Sequence, residues 1–363
     1  MMQTPVIGLA DTVKAIDPPG FSTPCIPTKI AMTSSASPVS VDINLEADGK
    51  RFGHIRVPYS SHESAYGFIA IPIAVVKGGS GLDVLLTAGN HGDEYEGQIT
   101  LLKLMRSLSA DAVRGRVIII PRLNLPAAAA GRRTSPLDEG NLNRLFPGDP
   151  LGSPTAQIAH FVDTVLLPMT QVSLDLHSGG SSLEYLPCVY AMASPDPARQ
   201  ARLQAAVAAF GAPLALMAQQ EISSRSLMAC ARAHGHLHFA TELGGAGTTT
   251  PATQAIADQG VRRLLAHLGV IDPVPMPPEA TRVMRITGSS QYVYAPVRGL
   301  FEPAFALGDT VQAGQSAGCI HFPEEPERAP RELLFADSGM VVCRRVPSLV
   351  EPGDCVAHLA ADS

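Results

Sequence analysis

Between Val84 and Leu268 the chain repeats one pattern: a short apolar run, a break, then a stretch of helical period. Val84–Ala88, Val117–Ile120, Val172–Leu176 and His238–Glu242 read as strands. The helical period runs through Ile99, Leu102 and Met105 and returns in Ile158–Leu167, Ala198–Phe210 and Thr253–Leu268. Strands buried on both faces read as unbroken apolar runs, and parallel neighbours need a crossover, so the pattern predicts an α/β layer fold with a mostly parallel sheet. Sites in such sheets collect at the carboxyl ends of strands. Ahead of this region, Val39–Val76 alternates in places and predicts strands leading into the core.

The pattern stops at Pro273, Pro275, Pro277 and Pro278, which cannot continue a helix. We therefore expect an α/β domain at 39–271, a Pro-rich linker at 272–281 and a C-terminal β domain at 282–363. Residues 1–38, rich in Pro, Ser and Thr, are expected to form a flexible arm. In the tail, Ala295–Phe301 and Leu307–Gln315, with weaker echoes at Ala336–Val341 and Val350–Val356, resemble a lipoyl or biotinyl carrier domain. A carrier attaches its group to a lysine, and no lysine follows Lys103. The expectation is a small barrel-sandwich-like fold without the carrier chemistry.

With 45% hydrophobic and 17% charged residues, 363 residues can bury a sizeable core. A net charge of -6 gives no basic field for nucleic acid or an anionic membrane. The longest stretch free of charged and amide side chains, Ala205–Ala218, has 14 residues, short of the roughly 18 a membrane span needs. Six scattered cysteines without a C-x-x-C, and a start lacking a basic n-region, lead us to expect a cytoplasmic protein.

The chemistry-bearing residues stand at strand ends. His91 and Glu94 follow the first buried run, and an imidazole and a carboxylate three residues apart can converge on one cation. The same spacing recurs at His321 and Glu324, but in the tail, away from any buried strand end, where we expect no metal. His177 ends another buried run, so two strand ends deliver His, Glu and His, the three-ligand set of catalytic rather than structural zinc. Asp175, two residues earlier, falls on the same side of the strand and can orient the His177 imidazole. Glu242 ends a third run and is placed to take a proton from water and pass it to a leaving amine. Arg132, Arg133 and Arg144 lie in a Gly- and Pro-rich loop, either as a clamp for an anionic substrate or as a solvated basic loop.

Asn90–Glu94, Asn141–Arg144, Asp175–His177 and Thr241–Gly245 together resemble the aspartoacylase and succinylglutamate desuccinylase family, itself similar to the zinc carboxypeptidases. The resemblance implies a mixed sheet flanked by helices with a smaller all-β tail. It implies one Zn2+ per chain on His91, Glu94 and His177, with Glu242 as general base. It also implies Asn143 and Arg144 as the clamp on the substrate carboxylate, and an upstream arginine polarising the scissile carbonyl. Arg133 is the choice for that arginine, with Arg132 the alternative. Pro58–Ser60, Ser64–Gly67, Arg133–Pro136 and Leu167–Met169 resemble the branch that deacetylates N-acetyl-2,4-diaminobutyrate in ectoine breakdown. A substrate with a free ammonium favours an acid in the pocket, and Glu184 is the candidate.

The expected partner is thus a small N-acyl amino acid, with neither nucleic acid nor membrane; a homo-oligomer stays open. A deacylase of another acyl amino acid, a metallocarboxypeptidase, and a metal-binding module without catalysis stand as alternatives.

Overall fold

Successive residues of the apolar runs pack on opposite faces of one sheet. Val84 and Leu86 enter one core and Leu85 the other, and the same split separates Val117 and Ile119 from Ile118 and Ile120. The structure, a computed structural model, describes residues 37–220, 223–277 and 280–363. The expected arm therefore lies almost wholly outside the described residues, as do Pro278 and Glu279 of the expected linker.

Four strands, Gly115–Ile120, Asp83–Ala88, Val172–His177 and Leu237–Glu242, lie side by side and parallel in that order. Around them the sheet is mixed. Phe68–Gly78 pairs antiparallel with Gly115–Ile120 and with Gly49–Pro58, and Cys188–Met192 runs antiparallel to Leu237–Glu242. The expectation of a mostly parallel sheet thus holds at its centre, where each strand is buried on both faces. Helices Tyr95–Ser107, Pro197–Phe210 and Pro251–His267 cover one face, and Pro154–Phe161 and Leu227–Ala233 cover the other. Their starts are written locally: Thr250, Asp196, Ser153 and Ser226 accept hydrogen bonds from amides of the first turn. Proline follows the first three of these caps, where its missing N–H costs nothing.

Beyond the prolines the chain rejoins this sheet. Arg282–Ile286 pairs in parallel with Leu214–Ala218, and Cys355–Asp362 and Gly339–Arg345 continue it antiparallel. Met284, Ile286, Val342 and Ala360 bury against Leu214 and Leu216 at this junction. A separate antiparallel sheet, ordered Arg331–Leu334, Ser316–His321, Gly299–Pro303, Leu349–Val350, completes the tail over its own core of Phe301, Phe335, Ile320 and neighbours.

Candidate active site

Two of the four central strands are apolar on one face only. Val172, Leu174 and Leu176 enter the core while Ser173, Asp175 and His177 face the other way. Leu237 and Phe239 do the same, leaving His238, Ala240 and Glu242 on the opposite face. The parallel register sets Glu242 beside His177 and Ala240 beside Asp175. At the end of the neighbouring strand Asp83–Ala88, Gly89 turns the chain with φ 66°, a conformation that L side chains rarely adopt. Gly92 lies against helix Leu125–Ala130, so close that a Cβ would fall 2.0 Å from the Ala127 carbonyl carbon. This close turn brings His91 and Glu94 alongside His177.

The three side chains are buried and their ligand atoms lie within 4.8 Å of one another, the one such group among the described residues. Glu94 presents one oxygen to each imidazole, with Oε1 2.7 Å from His91 Nδ1 and Oε2 2.7 Å from His177 Nδ1. On its far side, His177 Nε2 lies 2.7 Å from Asp175 Oδ2. Asp175 is itself held by Thr87 Oγ1, which donates to Oδ1 at 2.7 Å, and by Asn90 Nδ2, which donates to Oδ2 at 2.9 Å. Burial opposes ionisation of His177, but the charges of Asp175 and Glu94 raise its pKa well above the ordinary value. Burial lowers that of His91. Two imidazole nitrogens and a carboxylate, with a second carboxylate behind one ring, are a donor set that a divalent ion such as zinc accepts. Glu242 supplies a further sign: its Oε2 is buried with no hydrogen-bond partner, and burial, then the Glu94 charge, pushes the carboxyl up to about 8. A cation in the cluster would relieve that isolated acid.

The group opens into a cavity of about 240 Å³. Arg133, Asn143, Arg144 and Glu242 line it with the three candidate ligands. Arg133 Nη1 is 3.5 Å from Glu94 Oε1. Asn143 Oδ1 accepts from the Leu227 N–H at 2.9 Å, so what it offers the cavity is its Nδ2 donor. Arg144 has no acidic partner among the described residues, and burial, then the Arg133 charge, lowers its pKa. Two other expected residues are placed elsewhere. Arg132 Nη2 pairs with Glu139 at 3.0 Å on the surface. Glu184 is held by Arg344, with Nη2 2.6 Å from its Oε2, and does not line the cavity. His321 pairs with Glu302 at 2.8 Å on the tail sheet, both side chains exposed, and is not a member of the buried ligand group.

The far wall is not legible as a site in the sequence. Tyr190 stands opposite Ala240 across the Cys188–Met192 pairing. The tail adds Cys343, His358 and Tyr292, which continue from Tyr185 of the main region as cross-strand partners in turn. His358 stacks on Tyr292 with ring centroids 4.0 Å apart. Lone aromatic residues in short strands carry no spacing signal; only the tail's return to the main sheet, and its register, reveal them. Asn141, whose Oδ1 is 3.2 Å from His91 Nε2, is visible only as part of its motif.

Residues 80–268 match the succinylglutamate desuccinylase/aspartoacylase catalytic domain. The N-alpha-acetyl-L-2,4-diaminobutyric acid deacetylase of Halomonas elongata is 44% identical over 326 residues, covering 89% of this chain and 95% of that protein. A succinylglutamate desuccinylase/aspartoacylase from Rhodobacter sphaeroides is 41% identical with TM-score 0.85, covering 90% of this chain and 99% of that one. The product-bound ectoine utilization protein EutE (DoeB) of Ruegeria pomeroyi is 38% identical with TM-score 0.86, at 90% and 99% coverage. No helix among the described residues is long and apolar enough to cross a membrane. Motifs, sheet and relatives agree, and the chain belongs to the succinylglutamate desuccinylase/aspartoacylase family.

Proposed function

We propose that this chain is a zinc-dependent deacetylase that hydrolyses N-acetyl-2,4-diaminobutyrate to 2,4-diaminobutyrate and acetate. The observation that carries the reading is the buried His91–Glu94–His177 group beside the partnerless Oε2 of Glu242, in a chain 44% identical to the Halomonas deacetylase. His91, Glu94 and His177 would hold the ion, which supplies Lewis acidity toward an amide carbonyl and toward water. Glu242, ionised, takes a proton from the attacking water and returns it to the departing amine nitrogen. Arg133, lining the cavity beside Glu94, donates to the carbonyl oxygen as charge builds there. Arg144 and the Asn143 amide grip the substrate carboxylate at the open side, where a planar guanidinium can make two parallel bonds. Asp175 fixes the tilt of His177.

The same resemblance supports a zinc-carboxypeptidase-like core at 39–271 and a barrel-sandwich-like tail from 282, with the prolines between them. Cysteines scattered along the chain without a C-x-x-C support a reduced compartment such as the cytoplasm. A rate panel of N-acetyl, N-formyl and N-succinyl amino acids, with and without a side-chain amine, tests the reading. N-acetyl-2,4-diaminobutyrate should be turned over fastest. Faster cleavage of a succinyl compound, or release of C-terminal residues from peptides, would replace it.

A further inference from the structure

The inner end of the cavity holds polar groups that the proposed chemistry leaves unused. Tyr190 Oη, Tyr292 Oη and both ring nitrogens of His358 are buried with no hydrogen-bond partner, and all three residues line the cavity. A buried polar atom without a partner costs the hydration it gave up, so several on one cavity wall mark a place suited to polar partners, water or a polar part of the substrate. The wall bears no formal charge. Burial raises both phenols, and it pushes His358 down to about 3, which keeps the imidazole neutral. A neutral imidazole keeps one lone pair and each phenol oxygen can accept, while the stacked Tyr292 and His358 rings add π surface.

Charge decides which end of a substrate belongs there. The guanidinium groups of Arg133 and Arg144 line the same cavity and draw a carboxylate. Glu242, by contrast, stands on the neighbouring strand two residues from Ala240, the partner of Tyr190, and once ionised as the proposed chemistry requires it repels an anion and favours a cation. The acid expected to meet a cation, Glu184, is committed to Arg344. An ammonium brings three donors and no acceptor, and the two phenol oxygens and the imidazole lone pair can each accept one of them.

We propose that the cage of Tyr190, Tyr292 and His358 receives the free side-chain ammonium of the substrate, so that the tail of the chain, through Tyr292 and His358, sets selectivity for a diamino acid. This rests on the deacetylase reading. Tyr292 and His358 reach the cavity only because their strands, Tyr292–Tyr294 and Cys355–Asp362, pair with each other and the second joins the main sheet.

Calorimetric titration of the zinc-loaded full chain with 2,4-diaminobutyrate, and with 2-aminobutyrate as its analogue lacking the ammonium, tests the cage without turnover. The diamino acid should bind about tenfold tighter or better. Tyr292→Phe and His358→Leu should each remove most of that preference. The ratio of kcat/KM for N-acetyl-2,4-diaminobutyrate over N-acetyl-2-aminobutyrate should fall with it. The proposal is overturned if the wild type binds both probes alike, or if both variants melt normally and keep the preference within about twofold. Should His358→Leu fail to fold, Tyr292→Phe, which removes one oxygen, decides alone. The two readings fail separately: a chain that prefers the diamino acid but hydrolyses neither acetyl compound keeps the cage and loses the deacetylase activity. One that deacetylates both compounds equally keeps the activity and loses the cage.

Discussion

His177 Nε2 lies 2.7 Å from Asp175 Oδ2, two residues earlier on the same strand, while Nδ1 of the same ring faces Glu94. The ring is thereby held from both sides, with one nitrogen on the carboxylate that orients it and the other facing the proposed metal site. Asp175→Asn should weaken zinc binding by about 10- to 100-fold, the usual effect of losing a carboxylate behind a ligating histidine. Competition with a chelating dye measures it, and an unchanged affinity would remove Asp175 from the metal site.

Two His-x-x-Glu pairs make opposite predictions. His91→Ala should lose the single zinc equivalent and all activity. His321→Ala should keep both, since His321 only pairs with exposed Glu302. Elemental analysis of the purified variants gives the answer directly. Chelation of the wild type should abolish turnover, with zinc restoring it.

Glu242→Gln should lower kcat by about two to four orders of magnitude, the range that general-base catalysis supplies. It also has a signature in stability. In the metal-free protein the Glu242 carboxyl is pushed up to about 8 from an ordinary value of 4.5, so the folded state holds this proton more tightly than the unfolded chain. Stability is therefore lost as pH rises from 4.5 to about 8, and the whole penalty stands above that. Metal-free Glu242→Gln should melt at a higher temperature than metal-free wild type at about pH 9, the gap closing toward about pH 4. Equal melting curves at both pH values would show that Glu242 is not an isolated buried acid.

The adjacent arginines should separate cleanly. Arg133 lines the cavity, whereas Arg132 is spent on Glu139 at the surface. Arg133→Ala should cost about 100-fold or more in kcat, as loss of one oxyanion donor does. Arg132→Ala should change kcat/KM less than about twofold. The reverse order would exchange their roles.

Much of this site can be read from strand ends. Val172–Leu176 looks like a buried strand because it is one, and His177, Asp175 and Glu242 can be placed from their parity within such runs. What parity does not carry is the partner of a surface charge. Glu184 is a reasonable acid for an ammonium until Arg344, 160 residues on, pairs with it. Nor does parity carry the strands Cys188–Met192 and Leu214–Ala218, which are short, follow prolines, and acquire meaning only from neighbours on both sides. Tyr190, Tyr292 and His358 stay hidden for the same reason.

The parallel pairing of Arg282–Ile286 with Leu214–Ala218 also bears on how this protein can be handled. Leu214–Ala218 is five buried apolar residues, and cutting the chain in the Pro-rich segment would strip its partner away. The severed fragment would display an open, hydrophobic sheet edge, a ready template for another chain to pair with. A chain cut short at the prolines, the place where the sequence invites truncation, should therefore aggregate instead of yielding a smaller enzyme.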